Sequence, residues 1–460
     1  MRSLPGFVCG ILLAACSAAA SAQTYSMLDL ASLGPFPDAF AYGISQNGKI
    51  TGVGTVPATG ELHAFVLQNG VIQDLGMLGY PYGADGDAIN NVGQVAATGY
   101  GPGYKALLWT NGTVKKLGGG GNSEGLSINN LGHIVGKVQG DDGGLQGFLY
   151  SGGQMTPLSL DIARCINDAD QFVGSMGFYW TQGGVILSSE HAYLDSAGVI
   201  TDLGSIGGGP KTNTEAFGLN SLGQVTGYST AANGSRHAFM YGYGELADLG
   251  TIPPYDTIGV AINDSSQVAG NIVTFVGGQI GAFVYTGGAM HDLTDLLDAS
   301  GAGWSQLLVT GMSNDGWIVG YGAINGETHG FLARPTGTWT PLGAGLAGSV
   351  GVPLLGGTGL QTGGSAASLV LTHARPLAPA MLFVSLANTP TPFKGGTLFT
   401  IPLLVTVPFA STGAAGAITL PFTWPAGLPS GFSLDYQFGI QDAAAVQGVA
   451  LSNALQSMTP

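Results

Sequence analysis

Along residues 25–335 the chain alternates short apolar stretches with polar turns, and the alternation keeps one order. An apolar stretch ends in Ile-Asn, a turn rich in Asn and Gly follows, and a Gln-Val-x-Gly segment comes next. A third stretch such as His63-Ala64-Phe65-Val66-Leu67 or His237-Ala238-Phe239-Met240-Tyr241 then runs to a glycine turn, and Asp74-Leu75-Gly76 or Asp248-Leu249-Gly250 closes the unit. Period-two runs of this length between Asn and Gly turns predict four short antiparallel strands per unit.

The unit recurs seven times. Its core stands at Gly43-Ile44-Ser45, Ala88-Ile89-Asn90, Ser127-Ile128-Asn129, Cys165-Ile166-Asn167, Gly218-Leu219-Asn220, Ala261-Ile262-Asn263 and Gly311-Met312-Ser313, spaced 38 to 53 residues apart. A four-stranded repeat near this length is the blade of a β-propeller. Asp29-Leu30 supplies a fourth-strand motif before the first core, and the seventh copy lacks one after His329-Gly330-Phe331-Leu332. The N-terminal strand is therefore expected to complete the last blade of a closed seven-bladed ring, which leaves no open sheet edge at the ends.

These elements resemble the extracellular repeat proteins named for their His-Ala-Phe motif, the HAF repeat family. The triplet is complete at His63 to Phe65 and His237 to Phe239, with variants His191-Ala192-Tyr193 and His329-Gly330-Phe331. The resemblance covers about residues 25–335 and implies export and repeat architecture, without a reaction or catalytic residues.

From about Trp339 the period stops. Runs such as Ala367-Ser368-Leu369-Val370-Leu371, Leu403-Leu404-Val405-Thr406-Val407 and Phe432-Ser433-Leu434-Asp435-Tyr436 predict a small β-sandwich over residues 340–460. Its last stretch, Val449-Ala450-Leu451-Ser452-Asn453-Ala454-Leu455, resembles the close of β-domains appended to secreted bacterial proteins, which implies attachment or display. The fold class expected is all-β, a seven-bladed propeller followed by this sandwich.

Residues 1–22 have the pattern of a secretory signal, with Arg2, an apolar run and Ala20-Ser21-Ala22. The expected location is extracellular. Leu13-Ala14-Ala15-Cys16 leaves open a lipid anchor through Cys16 in the cell envelope. Acids number 27 against 12 Lys and Arg, a balance that repels phosphate backbones and argues against a nucleic-acid partner. No transmembrane segment is expected, and a monomer is. Of three cysteines only Cys165 lies beyond the signal, so no intrachain disulfide is available. Its column holds only small residues, which favours packing over a reactive thiol.

The His and Asp columns recur too regularly for a single site. Equivalent positions on different blades form a ring, so the four histidines cannot share one metal ion with bonds of about 2 Å. No metal or cofactor is expected. Function is sought where the repeats differ. The departures are Phe178, Tyr179 and Trp180 in the long fourth repeat, Tyr80 and Tyr82 in the second, and Tyr255 and Asp256 at the start of the sixth. Aromatic rings with polar tips suit sugar faces, so a glycan or a cell-surface protein is the partner class expected. Asp141-Asp142 lacks the alternating acidic spacing of a calcium loop. Signatures of hydrolases and phosphate loops are missing, as are the Asp-box and arginine cluster of sialidase propellers, so no catalytic residue is assigned. The first reading is a non-enzymatic extracellular binding or surface-structural protein. The second is a carbohydrate-active hydrolase or lyase with a channel site, for which Asp141, Asp142, Glu190 and Asp256 are the acids nominated.

Overall fold

The computed structural model describes residues 24–118, 121–140, 143–182, 185–208, 212–286, 288–335, 338–359, 361, 366–425 and 432–458. The signal segment with Cys16, the pair Asp141-Asp142, and the side chains of Phe178, Tyr179 and Trp180 lie outside it. The chain is all-β, with residues Tyr25–Arg334 in one compact unit and the chain from Pro335 in a second. No helix is long and apolar enough to cross a membrane among the described residues.

The first unit is a seven-bladed β-propeller. Blades 1 to 6 are consecutive four-stranded antiparallel sheets over residues 40–76, 84–116, 123–157, 162–202, 214–250 and 256–292. Blade 7 takes three strands from Ser305–Met312, Ile318–Ile324 and Glu327–Pro335, and its outer strand is the N-terminal Tyr25–Asp29. In blade 4 the middle hairpin is long, pairing Phe172–Gln182 with Val185–Ser196 in one unbroken register that sets Phe178 against Ser189 and Trp180 against Leu187.

The repeated residues explain the blade. In register, the glycine of the second strand faces the aromatic of the third: Gly52 opposite Phe65, Gly136 opposite Phe148, Gly227 opposite Phe239, Gly320 opposite Phe331. These rings are fully buried, and those of Phe148, Phe239 and Phe331 lie over their glycines. A Cβ on Gly320 would sit 1.8 Å from the Leu308 carbonyl oxygen and 3.1 Å from the Phe331 ring, so no side chain fits.

In blades 1, 4 and 5 the His column is a clasp within the blade. Nδ1 of His63, His191 and His237 lies 2.9, 3.1 and 3.0 Å from the carboxylates of Asp74, Asp202 and Asp248. Each carboxylate also accepts a backbone N–H two residues on, from Gly76, Gly204 and Gly250, which fixes the turn out of the blade. In blade 7 the same clasp, His329 to Asp29 at 2.9 Å, spans 300 residues and ties the first strand to the last.

At the end where inner strands hand over to second strands, the Asn turns bond both to themselves and to the next blade. Asn90 Oδ1 accepts from Gln94 N at 2.9 Å while its Nδ2 donates to the Asn129 carbonyl at 2.9 Å. Asn129, Asn167 and Asn220 repeat the reach to the following blade. One position on, Asn91 N donates to Asn130, Asn130 N to Asp168, Ser221 N to Asp264 and Asp264 N to Asn314. Asn314 N donates to Gln46 of blade 1, so the chain of bonds crosses the ring closure.

In the second unit a six-stranded sheet built on Thr338–Gly343, Ala454–Met458, Ser433–Gln441, Ala380–Ser385 and Leu403–Phe409, with Val449–Leu451 alongside, accompanies a three-stranded one of Leu354–Gly359, Ala366–Thr372 and Ile418–Thr423. Leu369, Leu371, Leu382, Phe438, Ile440 and Trp424 fill the core between them, giving a β-sandwich.

Burial alone would lower the proton affinity of His329, but the bond and charge of Asp29, with help from Glu327, raise it above its ordinary value. A raised value adds stability that is full below the unfolded-state pKa of about 6.5 and is lost as pH climbs through the folded value. His329→Gln is therefore expected to destabilise the propeller by about 1 kcal/mol, more at pH 6 than at pH 8. Urea unfolding of both proteins at the two pH values checks this; an equal loss at both means the clasp does not titrate.

Candidate functional site

Each inner strand carries a β-bulge at the same place. Pairing with the second strand jumps from Ala41 to Gly43, Gly86 to Ala88, Gly125 to Ser127, Ala163 to Cys165, Ala216 to Gly218, Gly259 to Ala261 and Val309 to Gly311. The skipped residues are Tyr42, Asp87, Leu126, Arg164, Phe217, Val260 and Thr310. All seven line one cavity of about 250 Å³ in the channel, which runs from this tier to the turns carrying Asn91, Asn130 and Asn314. A bulged residue is free of the ladder, so its side chain is re-aimed. The small column next to it packs on the neighbouring blade: a Cβ on Gly43 would lie 2.9 Å from the Asp87 carbonyl oxygen. Cys165 belongs to that column, its sulfur 3.9 Å from Ser127 Oγ and from the Leu219 carbonyl, and burial pushes its thiol up. It is a packing residue.

Two positions before the bulge, toward the end where inner strands begin, stand Asp85, Glu124 and Glu215. This entry end gathers most of the ionisable groups of the channel wall. Asp85 accepts from Tyr100 Oη at 2.9 Å, and Asp87 from Thr98 Oγ1 at 2.7 Å. Glu124 pairs with Lys137 at 2.9 Å. Glu215 takes Arg164 Nη2 at 2.9 Å and Tyr228 Oη at 2.6 Å. Arg164 also lies over the Phe217 ring, 4.7 Å from its centre. Glu190, on the long blade-4 hairpin opposite Gly177, accepts from Ser175 Oγ and feels the charge of Glu215.

Burial pushes the Asp87 carboxyl well above the usual carboxylate range; the Thr98 bond opposes this, the charges of Asp85 and Glu124 add to it, and Lys137 relieves it slightly. Asp85 is raised by burial and eased by Tyr100. Glu190 is raised by burial and by Glu215, against Ser175 and Arg164. Glu215, held by a guanidinium and a phenol, is the neighbour whose charge adds to this rise.

The residues nominated from the sequence are spread over several places. Tyr82 and Tyr255, 65% and 40% exposed, sit in the loops that lead into blades 2 and 6, at the entry end. The Tyr80 ring instead lies over Gly99, where a Cβ would be 2.4 Å away, and packs with the apolar cluster of blade 2. Asp256 is only 5% exposed, with one oxygen buried and unpartnered. The backbone of residues 178–180 continues the hairpin from the Gly177–Glu190 pair. Of the two nominated acids among the described residues, Glu190 and Asp256, Glu190 joins the carboxyl wall; Asp85, Asp87, Glu124 and Glu215 were missed. Among the described residues no group of three or more His, Cys, Asp or Glu is placed to hold a metal ion.

No protein-family model matches the chain, and no curated protein matches it. Among solved structures it is similar to Pyrococcus horikoshii acylaminoacyl peptidase, at 11% identity and a TM-score of 0.42, covering 75% of this chain and 59% of that one. The chain thus spans less than two thirds of the peptidase's length. A polysaccharide lyase described as an ulvan lyase aligns at 11% identity and TM-score 0.33, over 67% of this chain and 94% of that one. Trypanosoma rangeli sialidase in complex with sialic acid aligns at 10% identity and TM-score 0.30, over 96% and 94%.

Replacing Glu215 by Gln removes a charge that raises the Glu190 carboxyl and leaves that of Arg164, which lowers it. The Glu190 carboxyl is therefore expected to titrate at lower pH in Glu215→Gln than in the parent, read from the carboxyl carbon shift by NMR. An unchanged or higher midpoint means the two carboxyls do not interact.

Proposed function

We propose that the protein is an exported, non-enzymatic binding module whose propeller takes a polyhydroxylated ligand, a glycan, at the entry end of its channel. The observation that carries this is the convergence of the repeat's departures on one end. Asp85, Glu124, Glu190 and Glu215, with the phenols of Tyr100 and Tyr228, form a hydrogen-bonding wall there, and Tyr82 and Tyr255 expose rings in loops leading to the same end. Hydroxyl-rich ligands need donors and acceptors side by side, and rings for their apolar faces. Binding is favoured over reaction because Asp85, Asp87, Glu124, Glu190 and Glu215 each bond a neighbour in the wall. The pattern of residues 1–22 and the His-Ala-Phe resemblance support export.

One observation favours the alternative, a secreted hydrolase or lyase. Glu190 has its carboxyl raised by burial and stands beside a second carboxyl, Glu215, the kind of pairing that general acid chemistry uses.

The test is incubation of the purified protein with neutral, amino-sugar and uronate polysaccharides, following retention and newly released sugar ends together. Retention without release is expected, and the double variant Tyr82→Ala/Tyr255→Ala should weaken it by about tenfold, some 1.4 kcal/mol. Release that disappears in Glu190→Gln would establish the enzyme; neither retention nor release would overturn both readings.

A further inference from the structure

The second strand of each blade runs back toward the entry end, so its turn to the third strand stands there, at the same end as the loop into the inner strand. Such turns are small or polar at Pro57-Ala58-Thr59-Gly60 in blade 1, Ala231-Ala232-Asn233-Gly234 in blade 5 and Asn325-Gly326 in blade 7. The blade-6 turn, between Val268–Val273 and Gln279–Thr286, presents Phe275 and Val276 instead, 75% and 89% exposed. Its backbone is fixed: Thr274 N donates to the Gly278 carbonyl and Gly277 N to the Thr274 carbonyl, both at 2.7 Å, and Gly278 N donates to Thr274 Oγ1 at 2.9 Å. Two apolar side chains are thus held out on a closed turn, whose ordering a ligand does not have to supply. Asp256 pairs with Val273, and continuing that register brings the exposed Tyr255 alongside Thr274, at the foot of the same turn.

The third component is a cation. Arg236 of blade 5 pairs with Thr230 at the entry end of its own hairpin, and its Nη1 lies 3.7 Å from where a Cβ on Gly277 would stand, so the guanidinium abuts the blade-6 turn. It lies over the Tyr228 ring, 5.4 Å from the centre, and Tyr228 is in turn fixed through its Oη on Glu215. Among the described residues Arg236 makes no ion pair, whereas Arg164 and Lys137 on the channel wall are paired with Glu215 and Glu124. A guanidinium held over a ring keeps its planar fork of N–H donors for a carboxylate in its plane.

We propose that this corner between blades 5 and 6 reads an acidic sugar, the carboxylate of a uronate on Arg236 and the apolar face of the ring on Phe275 and Tyr255. The inference rests on the glycan reading above and adds the charge of the ligand to it. An uncharged sugar would leave the guanidinium without an anion, and an amino sugar would bring like charge to it. The wall carboxyls do not oppose this, because Glu124 and Glu215 are offset by Lys137 and Arg164, while burial shifts Asp85 and Glu190 toward their neutral forms. The net charge of -15 is spread over the whole chain and is screened beyond about 8 Å at physiological salt, so the local guanidinium decides the contact.

The experiment measures binding of the purified full chain to polygalacturonate and alginate, each beside its methyl ester, which keeps the backbone and removes the charge, and beside an amino-sugar polymer. At least one acidic polymer is expected to bind about tenfold or more tightly than its ester, with an advantage that shrinks as salt is raised. Arg236→Gln should lower the acidic polymer to the level of the ester and leave the ester unchanged, while Arg236→Lys, which keeps the charge, should keep part of the preference. Phe275→Ser/Val276→Ser, at two exposed positions, should weaken acid and ester alike by about tenfold with an unchanged melting temperature. An ester or amino-sugar polymer that binds as tightly as the acidic one, or a preference for the acid that is indifferent to Arg236→Gln, overturns the inference and leaves the glycan reading standing. Binding of no polymer overturns both.

Discussion

Seven inner strands must come close around one axis, and most of what repeats in this chain follows from that crowding. A Cβ on Gly43 or Gly218 would meet the next blade's backbone at 2.9 or 2.8 Å, so the column beside the bulge accepts only small residues, Cys165 among them. With the backbone jammed there, each strand ejects the preceding residue from its ladder. The ejected side chains become the channel tier. Packing thus dictates a site position that is structurally identical in all blades and chemically unconstrained in each.

This distinction between constrained and free columns explains what was legible in the sequence. The seven units, their four strands and the completion of blade 7 by the N-terminal strand could all be read, because Gly320 under Phe331 or Asp29 against His329 are pairs that the blade cannot do without. The candidate site could not be read the same way. Asp87 and Arg164 occupy a column whose members share no chemistry, and nothing in a single repeat marks that column as facing the axis. The aromatic loops stand out from the repeat instead, although the Tyr80 ring serves to cover Gly99. A signal was present in the alignment of repeats: the residue just before the small column is the one that varies from Tyr to Asp to Arg within an otherwise regular strand.

Only 8% of the residues are charged, yet carboxylates and cations meet repeatedly on the channel wall. There the ring's geometry shields them, whereas the clasp carboxylates of Asp74, Asp202 and Asp248 stay open to solvent. That shielding shifts Asp87, Asp85 and Glu190 toward their neutral forms and makes the wall a mixture of donors and acceptors rather than a plain anionic surface.

The clasp between Asp29 and His329 joins residues 300 apart, while the other clasps join residues 11 apart. Six blades can assemble as soon as each is available, from contacts that are local in sequence. The seventh cannot, since its outer strand is the first piece of the folded chain to appear and its other three are the last pieces of the propeller. A chain that emerges N-terminus first would carry Tyr25–Asp29 ahead as an unpaired edge until the whole array had followed. Closure then reports completeness: a truncated propeller would keep one sticky strand exposed, and only a full-length chain would present a surface without loose ends.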